Sequence, residues 1–220
     1  QNIKFNNVSF TYPNTDVEVL KNLNFEIKKG DKIGIFGPSG IGKSTLFRLL
    51  LRFYDPNSGT ISFNHIDLKD LSFNEIYQRI GMLEQETYLF DDTIFNNIAI
   101  AKEGASLDEV KKAAEKAGIA SLIDTLPEGY NTEMGQMASR LSGGEKQRIG
   151  IARIMLACPD IIVMDEPTSA LDVFHEKELL HTLKTEYSDA TWLIISHRMS
   201  TLTCCNRLYK LENGQLIQIN

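Results

Sequence analysis

Nine residues early in the chain, Gly37-Pro38-Ser39-Gly40-Ile41-Gly42-Lys43-Ser44-Thr45, constrain its fold more than any other stretch, because they match G-x-x-x-x-G-K-S/T at every specified position. Before them, Lys32-Ile33-Gly34-Ile35-Phe36 predicts a short buried strand. After them, Leu46-Phe47-Arg48-Leu49-Leu50-Leu51 predicts a helix. Glycines let several backbone N–H groups turn inward onto phosphate oxygens, and a helix starting near Lys43 adds the positive end of its dipole. Lys43 is then placed to reach β- and γ-phosphates, and the Ser44 hydroxyl to ligate Mg²⁺. A glycine-rich turn matching by chance would need neither flank.

The remaining pattern predicts an α/β fold: a P-loop nucleoside-triphosphatase core with a mostly parallel sheet, an antiparallel β subdomain and an inserted α-helical subdomain. Residues 3–10 alternate imperfectly, as an edge strand with a bulge does, and 23–27, 60–63 and 79–83 predict further strands. From 94 to 125 the period becomes helical, with Leu107, Val110, Ala114 and Ala117 as the apolar face. Ser142 and Glu145 form a capping-box pair, predicting a helix to about 157 that Pro159 stops. Ile161-Ile162-Val163-Met164 has the composition of a strand buried on both faces of a parallel sheet. A helix over 173–187, a strand over 191–196 and a hairpin around Glu212-Asn213-Gly214 complete the expectation.

Asp165 follows that buried strand, where a carboxylate lies beside the phosphate loop and can hold Mg²⁺ through water. Glu166 next to it is placed to orient, and take a proton from, the water that attacks a γ-phosphate. Acidic strand ends are common; the loop is what gives this one a partner. Gln85 and His197 each follow a core strand as well. An amide can coordinate Mg²⁺ or position water, and an imidazole can donate to a γ-phosphate oxygen. Each alone is a weak signal, and a lone histidine after a strand is more often a surface or satisfied core residue. Tyr12, after the edge strand, is a packing aromatic unless the fold makes it a platform for a base.

Charge and composition exclude other classes. A formal charge of -6 over 220 residues leaves no basic footprint for nucleic acid. Cys158, Cys204 and Cys205 form neither an even disulfide set nor a C-x-x-C zinc pattern, and are expected as reduced thiols of a cytosolic compartment. No apolar run approaches the roughly 20 residues of a membrane span. Opening on Gln1 without a signal peptide is the expectation for a piece of a longer chain.

Leu141-Ser142-Gly143-Gly144-Glu145-Lys146-Gln147-Arg148 is the second motif, and with it the chain resembles the nucleotide-binding domain of an ATP-binding cassette (ABC) transporter over essentially all 220 residues. In family order, Gln85 is similar to the Q-loop, Leu141-Ser142-Gly143-Gly144-Glu145 to the signature, Ser169-Ala170-Leu171-Asp172 to the D-loop and His197 to the switch histidine. Tyr12 falls where the family keeps an adenine-stacking aromatic, and Val19 where an apolar residue flanks the base.

The resemblance implies ATP and Mg²⁺ as ligands. ATP would be held by Tyr12, Val19, residues 37–45 and a partner's Ser142, Gly143 and Gly144; Ser44, Gln85 and Asp165 would serve the metal. Lys43, Gln85, Glu166 and His197 would act in catalysis. It implies a core over 1–84 and 159–220, a helical subdomain over about 86–158, and head-to-tail closure of two such domains on two ATP molecules. Because Ser142 also caps its own helix, the glycine amides are expected to carry more of the phosphate contact.

Ile80-Gly81-Met82-Leu83-Glu84-Gln85 followed by Leu89-Phe90-Asp91-Asp92-Thr93-Ile94 resembles exporter-type cassettes, and Asn131-Thr132-Glu133-Met134-Gly135 their loop toward the membrane domain. That implies an N-terminally fused transmembrane domain and a place on the cytoplasmic face of the membrane. Exporters commonly carry Glu-Arg-Gly where this chain has Gln136-Met137-Ala138, and a basic residue where it has Phe95. A soluble cassette switch would bring a second cassette or a basic face, and a GTPase an Asn-Lys-x-Asp motif; neither is present. A degenerate, non-hydrolysing cassette usually lacks Glu166 or His197, and this chain has both.

Overall fold

A computed structural model describes residues 2–137, 139, 141–168 and 173–219, with only the backbone described at 136, 137 and 173–175. The chain divides into two compact units. One comprises Gln1–Ile80, Asp160–Glu166 and Asp189–Asn220, the other Gly81–Pro159 and Pro167–Ser188.

The first unit holds an antiparallel sheet. Its strands β1 (Asn2–Thr11), β2 (Glu18–Lys28), β4 (Ser58–Phe63) and β5 (Ile66–Asp67) lie in the order β2-β1-β4-β5. The imperfect alternation of β1 is a bulge: its pairing with β2 shifts register between Phe5 and Val8, and Asn7 takes a φ of 48°. Gly59 of β4 faces that bulge so closely that a Cβ there would stand 2.3 Å from the Asn7 carbonyl oxygen.

The unit's second sheet is built on β3 (Lys32–Phe36), which lies between and parallel to β8 (Thr191–Ile195) and β9 (Arg207–Glu212). Parallel to β8 runs β7 (Ile161–Asp165), and β10 (Gln215–Gln218) closes an antiparallel hairpin with β9. Ile161, Ile162, Val163 and Met164 are buried, as their uninterrupted apolar run requires. Between the sheets' strands in sequence stands α1 (Lys43–Leu50), which buries Leu46, Phe47, Leu49 and Leu50 and leaves Arg48 exposed.

Two short helices complete this unit, α2 (Phe73–Arg79) and α9 (Met199–Leu202). The apolar pattern did not predict α2, because it buries only Ile76 and exposes Phe73 and Tyr77, so it carries no stripe. Its sequence signal is instead Ser72 and Glu75, which form a reciprocal capping box.

The second unit starts in β6 (Ile80–Leu83) and is otherwise helical: α3 (Ile94–Ala99), α4 (Leu107–Lys116), α5 (Ala120–Asp124), α6 (Met134–Met137), α7 (Gly143–Ala157) and α8 (Val173–Glu186). Thr93 caps α3, and Ser106 with Glu109 boxes α4. Leu107 corrects the expected apolar face. In the first turn of α4 it is 45% exposed, while Ala113 joins Val110, Ala114 and Ala117 in the core. The helix begins beyond the part of the stripe that α7 and its neighbours cover.

Deep in this unit Arg153 of α7 donates to the Asn97 carbonyl (2.6 Å), the Asn97 side-chain oxygen (3.0 Å) and the Tyr88 carbonyl (2.8 Å). Asn97, itself fully buried, donates in turn to the carbonyls of Phe90 and Thr93 and accepts from the Phe90 N–H. This guanidinium–amide hub holds the 88–93 loop in shape. Burial pulls the Arg153 guanidinium below its ordinary value, opposed by the Glu84 carboxylate. Replacing Arg153 by Leu removes its donors from the Asn97 and Tyr88 backbone carbonyls, so the urea midpoint should fall by the equivalent of about 3 kcal/mol. Arg153→Lys should recover less than half of that loss.

Candidate functional site

Three strand ends of the first unit bring the predicted residues together. The last β3 pair with β8 is Ile35 with Ile195, and the last β7 pair is Asp165 with Ile195. The segments that leave β3, β7 and β8 therefore emerge at one sheet edge: the phosphate loop, Glu166, and Ser196 with His197. Cross-strand hydrogen bonds continue one residue further, from Ser196 N–H to the Ile35 carbonyl (3.1 Å) and from Glu166 N–H to the Ile195 carbonyl (2.9 Å).

Within the loop, Gly42 is the residue before α1, with a φ of 107° and no side-chain cap on the helix. A Cβ at Gly42 would fall 2.3 Å from Val19 Cγ1, so the loop passes directly under Val19. Lys43 is 6% exposed, and its Nζ donates to the carbonyls of Gly37 (2.8 Å) and Pro38 (2.9 Å). The buried ammonium is thus satisfied by the loop's own backbone. Pro38, Ser39 and Gly40 are exposed at the loop tip, with Ile41 and Ser44 half-buried behind them.

Asp165 is half-buried, and its carboxyl is held above the ordinary carboxylate range. Desolvation is the main cause and the neighbouring Glu166 charge adds to it, opposed by a hydrogen bond with Ser44 and by the charges of Lys43 and Arg48. Glu166 adopts a φ of 48°, a left-handed conformation costly for a non-glycine residue. Its carboxylate accepts from the His197 N–H (3.1 Å) and lies 2.8 Å from His197 Nδ1, with Ser196 Oγ at 3.4 Å. The His197 ring itself is exposed.

Tyr12 stands at the end of β1 with its hydroxyl 2.9 Å from Thr45 Oγ1, and Arg48 Nη1 donates to the same hydroxyl at 3.1 Å. Neither Arg48 nor Ser196 was among the residues the sequence singled out. The only signal for Arg48 was its place one helical turn beyond Ser44, and for Ser196 its adjacency to His197.

In the second unit Gln85 is exposed just after β6. Ser142 caps α7 in the expected box: its Oγ accepts from the Glu145 N–H (3.3 Å) and donates to Glu145 Oε2 (2.8 Å). Gly143 and Gly144 form the first turn. The 131–135 loop is tied to α3 by the Ile94 N–H on the Thr132 carbonyl (3.0 Å) and the Met134 N–H on the Asp92 carbonyl (2.8 Å). Residues 169–172, the expected D-loop, and Ala138 lie outside the described residues.

The family model described as ABC transporter matches residues 20–169. A probable ABC transporter ATP-binding/permease protein of Haemophilus influenzae is 42% identical over 214 residues, covering 97% of this chain and 38% of that protein. An ATM1-type heavy metal exporter of Novosphingobium aromaticivorans is 43% identical over 216 residues, 98% of this chain and 35% of that protein. Among solved structures, a bacterial Atm1-family ABC exporter with ATP bound superposes with a TM-score of 0.91 at 43% identity, over 98% of this chain and 37% of that one. The chain thus spans little more than a third of the length of each of these three.

Because the folded chain holds the Asp165 proton more tightly than the unfolded chain, the unfolded state releases it first as pH rises. The stability this carboxyl contributes is therefore present in acid and lost as pH climbs above the ordinary carboxylate value of about 4. Asp165→Asn should raise the melting temperature at pH 7 without nucleotide or metal, with the gain shrinking toward pH 4; calorimetry across that range checks it.

Proposed function

The chain belongs to the ABC transporter family, and from that premise we propose that it is the ATP-binding, ATP-hydrolysing motor of an exporter, one of two such domains that close head to tail on Mg-ATP. The observation that carries the reading is the Glu166 carboxylate, held in a left-handed backbone against His197 at the sheet edge that also carries Lys43, Ser44 and Asp165. A base next to a phosphate loop is the arrangement hydrolysis of a γ-phosphate needs.

In this mechanism Lys43 exchanges the Gly37 and Pro38 carbonyls for β- and γ-phosphate oxygens, so the phosphate meets an ammonium already stripped of water. Val19 and Tyr12 flank the base. Ser44 and Asp165 are hard oxygen donors joined by a hydrogen bond, and the desolvated carboxyl favours a cation beside it, which fits Mg²⁺. Bound there with the nucleotide, Mg²⁺ would neutralise phosphate charge. Glu166 orients a water and accepts its proton as the water oxygen bonds to the γ-phosphorus and the bond to the β-phosphate oxygen breaks, leaving ADP and phosphate. His197 serves as the γ-phosphate donor that the family resemblance implies. Gln85 serves as the amide ligand that the family resemblance implies.

Ser142, Gly143 and Gly144 offer their amides to the nucleotide of a second copy or a related cassette. Loss of the γ-phosphate removes that bridge and reopens the pair. Among the described residues no helix is long and apolar enough to cross a membrane. The Haemophilus influenzae relative's name joins an ATP-binding part to a permease, which supports a membrane domain in the same polypeptide; its place before this domain, and a position on the cytoplasmic face, follow from the exporter resemblance.

Mg-ATP hydrolysis by the 220-residue chain should show specific activity that rises with protein concentration. Glu166→Gln should cut turnover by at least about 100-fold and elute as a dimer with ATP and a monomer without it. Undiminished turnover in Glu166→Gln, or no ATP-dependent dimer of that variant, would refute the reading.

A further inference from the structure

The Tyr12 hydroxyl is where the base side and the phosphate side of the site meet. It lies 2.9 Å from Thr45 Oγ1, in the phosphate motif, and accepts from Arg48 Nη1 at 3.1 Å. The ring packs perpendicular to Phe10 (centroids 4.8 Å apart) and to Tyr54 (5.3 Å). The Arg48 guanidinium carbon is 5.7 Å from the ring centroid, and its charge also reaches Asp165. Thr45 is 3% exposed, so its hydroxyl is not simply solvated.

We infer that Arg48 is a positioning residue for the nucleotide: through the Tyr12 hydroxyl it locks the base platform to α1, the helix that presents Lys43 and Ser44. The inference rests on the reading of Tyr12 as that platform. The hydrogen-bond order explains why a guanidinium suits the position. Arg48 can only donate, so it occupies a lone pair of the Tyr12 oxygen and leaves the Tyr12 proton for Thr45. Thr45 then keeps its own proton for an acceptor at the loop, and a phosphate oxygen is such an acceptor. One guanidinium thereby orders two hydroxyls in sequence, with each bond polarising the next. A ring pinned at its hydroxyl and packed against two perpendicular rings also has less rotational freedom to lose when a base stacks on it.

The test is a double-mutant cycle in the full chain, with Arg48→Met, Tyr12→Phe and both together, reading the Kd for Mg-ADP by calorimetry and KM and kcat for ATP. Each single change should raise Kd and KM by about 3- to 10-fold, the span of one net hydrogen bond. The double variant should be no more than about two-fold weaker than the worse single, because both remove one linkage. In Arg48→Met, kcat at saturating ATP should stay within about two-fold of the parent, which a general loss of structure would not allow. Additive effects, or parental Kd in both singles, overturn the inference.

Tyr12→Ala separates it from its premise. If Tyr12→Ala weakens Mg-ADP and Tyr12→Phe does not, the platform stands and the anchor falls. Parental affinity in Tyr12→Ala removes the platform and the anchor with it. Should Arg48→Met lower the nucleotide-free melting temperature, Arg48→Gln, uncharged but with an amide donor on a shorter stem, takes its place in the same cycle under the same criteria.

Discussion

Parallel pairing of β3, β8 and β7 is the constraint on which the site depends. Ile35, Ile195 and Asp165 share the end of the register, so segments separated by more than a hundred residues of sequence leave the sheet at one edge. A shift of one residue in the β7–β8 ladder would turn each side chain of the slipped strand to the opposite face and separate Glu166 from His197. The apolar runs of β7 and β8, buried along their length, hold that register more firmly than any bond within the site.

Around this edge the chain tolerates electrostatic and backbone strain. Asp165 feels both the buried Lys43 ammonium and the adjacent Glu166 carboxylate, it is desolvated enough to retain its proton unusually well, and Glu166 is left-handed. The loop relieves part of this by turning its own carbonyls onto Lys43. Such strain survives only where surrounding structure fixes it, and here Glu166 is fixed by the Ile195 carbonyl and the His197 N–H. The same features make the edge receptive to a polyanion carrying a divalent cation.

The second unit uses a different economy. Several of its helices start at side-chain caps: Thr93, Ser106 with Glu109, and Ser142 with Glu145. Arg153 and Asn97 replace regular backbone pairing in the 88–93 loop with a buried polar network. In such a network each partner's removal strands several others, so its members act together rather than as separate contacts.

Much of this was legible in the sequence. The phosphate loop, the run ending at Asp165, the capping box at Ser142 and the Asn213-Gly214 hairpin are local patterns. Their physical causes, backbone freedom, side-chain period and cap chemistry, act within a few residues. Leu107 and α2 were misread or missed for the complementary reason: exposure depends on what covers a face, and a seven-residue helix with one buried side chain leaves no period to detect. Arg48, Ser196 and the Tyr12 hydroxyl lay beyond sequence reasoning because their partners are distant in the chain. Sequence by itself determined which chemistries were present and which elements would carry them. Only the tertiary structure decided which side chains meet, since register and burial arise from long-range packing that no local pattern encodes.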